Sequence, residues 1–148
     1  MGKKVTYERW INLYLPDGWS EREEMGFVLL EKENWPGMVQ LSFIEREDTR
    51  TAPAEAAKIY LEDTLEERDV PFPRDAVRSE DHSGIGISVI DFTDTNAKAP
   101  AHWRVWFIVD NTRAIMAAYI CDPEHDGKQL EEATRIIADL EFIPSTND

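Results

Sequence analysis

The side chains in this sequence that commonly do chemistry are few, and their spacing decides what they can do here. None of the three histidines, His82, His102 and His125, forms a His-x-x-x-His or Glu-x-x-His pair. Asp122, His125 and Asp126, with Cys121 alongside, can be drawn as a metal site. A simpler account covers the same residues: Asp122 caps a helix, and His125 and Asp126 fall in its first turn. A closed zinc site needs ligands at spacings this chain does not supply, so no metal is expected. Cys121 is the only cysteine, which excludes an intrachain disulfide. It ends a strand beside Asp122, whose charge raises a thiol pKa, so it reads as a core residue rather than a nucleophile.

No Gly-x-Ser-x-Gly elbow occurs. Ser83-Gly84-Ile85-Gly86 is glycine-rich but leads into a strand, whereas a phosphate loop needs a following helix whose amides face the anion. Gly84 and Gly86 instead suit a turn or a close packing contact. Thirty acidic residues include many carboxylate pairs, but most fall on the outer faces of helices, where solvated charge is the ordinary reading. The expectation is a chain that is not an enzyme and carries no cofactor.

A second kind of constellation is aromatic. Trp10, Trp19, Trp35, Trp103 and Trp106 are a large complement for 148 residues. Residues 102–110 and 112–121 alternate around an Asp110-Asn111 turn and predict a hairpin. With an even-length loop, Trp103, Val105 and Phe107 share one face with Ala114, Met116, Ala118 and Ile120. Arg104, Trp106 and Ile108 share the other with Arg113, Ile115, Ala117 and Tyr119. Gln40, Ser42, Gly86 and Ser88 are assigned to the face of Trp106. Tryptophan, tyrosine and arginine on a partly polar sheet face match interface anchors, so Arg104, Trp106, Ile115 and Tyr119 form the candidate partner-binding site. The competing reading is a second core layer under a helix, since a strand apolar on both sides belongs in a covered sheet.

Other elements must hold that hairpin. Strands are predicted at 10–15, 26–31 and 38–45, the last with Val39, Leu41 and Phe43 inward and Gln40 and Ser42 outward. Pro53 opens a helix to about Arg68 whose inner stripe is Ala54, Ala57, Tyr60, Leu61 and Leu65, with Ile59 among the acids outside. Val70-Pro71-Phe72-Pro73 breaks it. A short strand near 76–80 and a firmer one at 84–92 follow, then an exposed loop from Asp94 to Pro100. A closing helix over 123–141, capped by Asp122 with Pro123 in its first turn, turns Leu130, Ala133, Ile136, Ile137 and Leu140 inward. Ser145–Asp148 reads as a frayed tail.

Sixteen basic against thirty acidic residues give a net charge of −14. That field opposes nucleic-acid phosphates and anionic membrane surfaces, so neither is an expected partner. Hydrophobic residues make up 42%, enough for one core, and a single domain of 1–148 with its core over about 8–143 is expected. The basic start lacks an apolar segment and no run approaches about 18 apolar residues, so a cytoplasmic location is the expectation.

Strands, a helix, more strands ending in a long hairpin, and a final helix predict an α+β domain with a mainly antiparallel sheet and two principal helices. The strand entering Leu15-Pro16-Asp17-Gly18-Trp19, the Thr51-x-Pro53-x-Glu55 helix start, the Gly84/Gly86 strand, the aromatic hairpin and the closing Leu140-Glu141-Phe142 together resemble the PsbP-like superfamily. Its members include the PsbP subunit of photosystem II, the Ran-binding import factor Mog, DcrB-like lipoproteins and chaperones of type VI secretion effectors. The resemblance covers roughly residues 8–143 and rests on order and spacing. It implies a non-enzymatic protein-binding role. No lipidated-cysteine signal matches the DcrB branch, and the acidity does not match mature PsbP. A chaperone or adaptor for another bacterial protein, such as a secreted effector, is the expected function, with a basic protein or a second copy of the chain as partner. An immunity protein against a basic toxin is an alternative and would gather its acids over a cleft. A small-molecule-binding or enzymatic domain would instead show an enclosed pocket with converging polar groups.

Overall fold

The computed structural model describes residues 2–7, 10–47, 49–68, 76–82, 84–94, 101–122 and 127–144. Its elements in chain order are β1 (Lys3–Tyr7), β2 (Ile11–Leu15), β3 (Trp19–Glu24), β4 (Phe27–Lys32), β5 (Met38–Glu45), α1 (Pro53–Glu67), β6 (Arg78–His82), β7 (Ile85–Asp94), β8 (Ala101–Val109), β9 (Arg113–Cys121), α2 (Lys128–Ala138) and β10 (Glu141–Phe142). Every strand pair is antiparallel. Seven strands form one sheet in the order β3-β4-β5-β9-β8-β7-β6, and β1-β2-β10 form a second, smaller one. The expected α+β class with two principal helices and antiparallel pairing is what the chain adopts.

The large sheet has a core on each side. On one side α1 lies over β6, β7 and β8 and buries Ala56, Ala57, Leu61 and Leu65 against Ile90, Val105, Phe107 and Val109. On the other side the small sheet and α2 bury Ile11, Leu13, Leu15, Ala133, Ile136 and Ile137 against Leu30, Val39, Leu41, Trp106, Ile115 and Tyr119. The start of α1 rests directly on β7, because a Cβ at Gly86 would collide with the backbone of Pro53 and Ala54. Arg46 fixes the same end by donating to the carbonyls of Asp110 (2.7 Å) and Thr51 (2.7 Å), which joins the β8–β9 turn to the helix entry.

Three strands had no counterpart in the sequence expectations. Lys-Lys-Val-Thr-Tyr (β1) and Trp-Ser-Glu-Arg-Glu-Glu (β3) carry too few apolar residues to show alternation, and β10 has two residues. Each is held by a neighbour's register rather than its own pattern. The β3–β4 hairpin opposes Glu24 to Phe27. Its two central residues, Met25 (φ 52) and Gly26 (φ 85), both take positive φ, the turn that follows natural strand twist. Gly26 is spent on this turn, so the strand expected from 26 starts at Phe27.

Helix α2 is shorter than expected. Asp122 is exposed and does not cap it; Gly127, left-handed with φ 87, sits at the N-cap, and the helix begins at Lys128. Its end comes at Ala138 because Glu141 and Phe142 are drawn into pairing with Asn12 and Ile11 of β2. Expectations for Pro123, His125, Asp126, Ser83, Val70–Pro73, the loop after Asp94 and the tail at 145–148 lie outside the described residues. Among the described residues no helix is long and apolar enough to cross a membrane.

The stripe of α2 makes a stability prediction. Ile137 is 3% exposed and Ile59, on the outer side of α1, 43%. Ile137→Ala should cost about 2–5 kcal/mol in chemical denaturation. Ile59→Ala should stay within about 0.5 kcal/mol of wild type.

Candidate functional site

The hairpin register is the one its parity predicts: Arg104 opposes Tyr119, Trp106 opposes Ala117 and Ile108 opposes Ile115. The surroundings of that face differ from the expectation. Trp106 is 4% exposed, and Ile115 and Tyr119 are fully buried. Across the neighbouring strands Trp106 faces Val89 and Ala117, and beyond Ala117 lies Leu41. Gln40, Ser42, Gly86 and Ser88 belong to the opposite face, the one α1 packs on. Arg104 is held too: Nε and Nη2 donate to the two carboxylate oxygens of Asp91, and Nη1 donates to Thr134 Oγ1 at 2.9 Å. The expected exposed anchor face around Arg104, Trp106, Ile115 and Tyr119 is therefore a second core layer, sealed by α2 and the small sheet. Its physical reason is the two-sided apolarity of the hairpin, which requires a cover on each side.

Polar groups sewn into this layer fix α2. Gln129 is fully buried, and its amide pairs with the Gly37 backbone like a sheet residue, accepting from Gly37 N and donating to Gly37 O, both at 2.8 Å. The Tyr119 hydroxyl donates to the same Gln129 Oε1 at 3.2 Å. Only glycine fits at 37, since a Cβ would lie 2.6 Å from the Tyr119 oxygen. One turn on, Glu132 accepts from Lys32 Nζ (2.8 and 2.9 Å) and from Trp19 Nε1 (3.1 Å), while Lys32 Nζ sits 4.0 Å from the centre of the Trp35 ring. Burial opposes ionisation of Glu132, but the hydrogen bonds from Lys32 and Trp19 outweigh it and hold its pKa below the ordinary value. Cys121 is half-buried and free, and burial pushes its thiol pKa up, with Asp122 adding to the rise. That is the reverse of what a nucleophile requires.

The other face of the same sheet is only half covered. A helix is about 10 Å wide and strands lie about 4.8 Å apart, so one helix spans two or three strands. Among the described residues α1 is the only helix on this face, and its main contacts are with β6, β7 and β8; beyond it Leu29, Ala114 and Ala118 are buried while their neighbours on β4, β5 and β9 are partly exposed. Phe27 and Ile44 are each 39% exposed there. Met38, Gln40, Ser42, Met116 and Ile120 are half-buried between them. Beside α1 this surface deepens into a groove of about 310 Å³ lined by Thr64, Leu65, Arg68, Phe92, Trp103 and Met116. Its wall is a stacked pair, Phe92 and Trp103, with ring centroids 5.9 Å apart. At the outer rim Arg22 bridges Glu24 and Glu31, each at 2.8 Å. The signal in the sequence was the strict alternation of 38–45, which sends Ile44 outward; nothing local showed that its side lacks a helix.

Solved structures share this fold. A crystal structure of a protein from Bacteroides thetaiotaomicron matches 99% of the chain with a TM-score of 0.69 at 17% identity, and the chain spans 50% of that protein's length. The solution structure of cyanobacterial PsbP (CyanoP) from Synechocystis matches 95% of this chain and 92% of its own, with a TM-score of 0.61 at 7% identity. The fold is PsbP-like. No family model matches the chain, and no curated protein does. Within the PsbP-like frame, the buried hairpin and the locked α2 are scaffold, and the half-open face is the surface they leave available.

Two measurements check this assignment. Trp106→Ala should destabilise the protein by about 3–5 kcal/mol, the cost of truncating a buried large aromatic. Glu132, with its folded pKa below the ordinary value of 4.5, contributes stability that is present above that value and lost as pH falls through the lower folded one. Thermal unfolding of the wild type should therefore fall more steeply below pH 4.5 than that of Glu132→Gln.

Proposed function

We propose that this protein is a non-enzymatic, cytoplasmic protein-binding module, a chaperone or adaptor that holds another protein against the open face of β3, β4, β5 and β9. The observation that carries this reading is the apolar surface of Phe27, Met38, Ile44, Met116 and Trp103 left beside α1, bounded by the Arg22, Glu24 and Glu31 rim. An apolar centre with a charged border is the anatomy of protein interfaces, and aromatic and methionine side chains are enriched at their centres. The formal charge of −14 favours a partner with a basic border and speeds its approach. The free thiol suits a reducing compartment, which supports the cytoplasmic placement. The thiol of Cys121 has its pKa raised by burial, the reverse of what a nucleophile requires.

A photo-crosslinking residue at Ile44, in the protein expressed in its source organism, tests the reading. A discrete protein adduct should form at Ile44, be absent when the probe replaces exposed Ile59, and disappear on adding Phe27→Arg. An adduct with a second copy of the chain would make the module a homodimer on this same face. Absence of an adduct, or equal labelling from Ile44 and Ile59, would overturn the proposal.

A further inference from the structure

We infer that Met25, at the tip of the β3–β4 hairpin, is a contact that the partner protein receives in an apolar pocket bordered by basic side chains. The inference rests on the protein-binding reading above and adds the chemistry of the partner. Met25 is 91% exposed, while the next most open of the large apolar residues described, Ile59, is 43% exposed. A single exposed apolar side chain is ordinary on a protein surface. Met25 differs because its backbone also lies in the left-handed region, with φ 52. That conformation crowds Cβ against the following carbonyl and is costly outside glycine, asparagine and aspartate. The other non-glycine residue with positive φ among the described residues is Asn34, whose short polar side chain tolerates it. A two-residue turn of this kind favours Asn or Asp followed by Gly, and Met25-Gly26 satisfies only the second position.

No contact within the molecule offsets these two costs. A Cβ built on Gly26 meets nothing within 4 Å, so the tip stands clear of the other elements. Phe27 and Ile44 lie on the open face, each 39% exposed, and the tip carries that apolar surface past the last pair of the hairpin, Glu24 and Phe27. Methionine is unbranched and polarisable, which suits it to irregular apolar hollows, aromatic ones included. The charges beside it are mostly acidic: Glu21 pairs with Lys3 at 3.2 Å, and Glu24 with Arg22 at 2.8 Å. Glu23 is exposed and has no ion-pair partner among the described residues. An apolar knob beside an unpaired acid matches a hollow rimmed with Lys or Arg, since opposite charge at the border steers and orients docking.

Substitutions at the tip separate strain from contact, with two readouts: melting of the purified chain, and the photo-adduct formed from Ile44 in the source organism. Met25→Asn relieves the turn and should raise the melting temperature by roughly 2–4 °C. The same change should lower adduct yield about fivefold or more. Met25→Gln keeps the length and the strain but makes the tip polar, so melting should hold while the adduct falls. Met25→Leu keeps the apolar volume and should retain the adduct. Glu23→Lys reverses the charge beside the tip and should lower it. Adduct left at the wild-type level by both Met25→Asn and Met25→Gln would overturn the inference and leave the protein-binding reading standing; no adduct from the wild type would overturn both. A Met25→Asn protein that melts no higher would remove the strain on which the inference stands. With the probe at Met25 itself, the labelled partner residues should lie among Lys and Arg. Labelling of an acidic surface, or of a second copy of this acidic chain, would overturn the basic-bordered partner.

Discussion

The constraint on which the rest of the structure depends is that β8 and β9 are apolar on both faces. Val105 and Phe107 point one way, and Trp106 and Ile108 the other, all 2–4% exposed. A strand pair of this kind is unstable at an edge or on a one-sided sheet, because burying one face leaves the other in water. The hairpin therefore takes the middle of the seven-stranded order, with β5 on one flank and β7 on the other. Two separate covers follow from the same demand. One helix suffices over β6, β7 and β8, whereas the face of Trp106 receives both α2 and a sheet built from the two ends of the chain.

Covering a face with pieces so distant in sequence needs something more specific than apolar contact, which permits sliding. The buried amide of Gln129 supplies it. A side-chain amide that both donates to and accepts from one backbone residue has a single register, and leaving either half unpaired in the interior would cost about 1–3 kcal/mol. Gly37 makes the close approach feasible, and Tyr119 satisfies the second lone pair of the same oxygen. Glu132, reached by Lys32 and Trp19, repeats the logic one turn later with charge. The β4–β5 connection and the first turns of α2 thus position each other.

What the sequence disclosed tracks how locally each feature is determined. Pro53, the alternation of 38–45 and the parity of the 102–121 hairpin are short-range facts, and the structure follows all three. The expected start of α2 differs because Asp122-Pro123-Glu124 is a good local cap signal, while the observed helix starts after the left-handed Gly127 and is anchored by Gln129 to Gly37, 92 residues away. The placement of Trp106 failed for the same reason. Which strand residues share its face depends on the β5–β9 and β7–β8 registers, which no local spacing encodes, and Gln40 and Ser88 were put on the wrong side. Burial of Trp106 and openness near Met116 are consequences of where distant elements dock. Residue type alone points the other way, since tryptophan is an interface favourite and methionine an ordinary core filler.

The strand edges carry dense charge, so the apolar surface of the sheet is a face rather than an edge. At one end of the large sheet β3 reads Trp-Ser-Glu-Arg-Glu-Glu, and at the other β6 is Arg-Ser-Glu-Asp-His, exposed throughout. The small sheet presents Lys3 and Lys4 on its β1 edge. Dense charge on an edge strand discourages pairing with another chain, because an added strand would press like charges together or strip them of water. The open side of β4 and β5 carries charge only at the Arg22, Glu24 and Glu31 rim: Phe27, Met38 and Ile44 stand inside it with uncharged Gln40 and Ser42 between them. A surface charged at its edges and apolar on one face admits side-chain contact on that face while resisting strand addition at its edges.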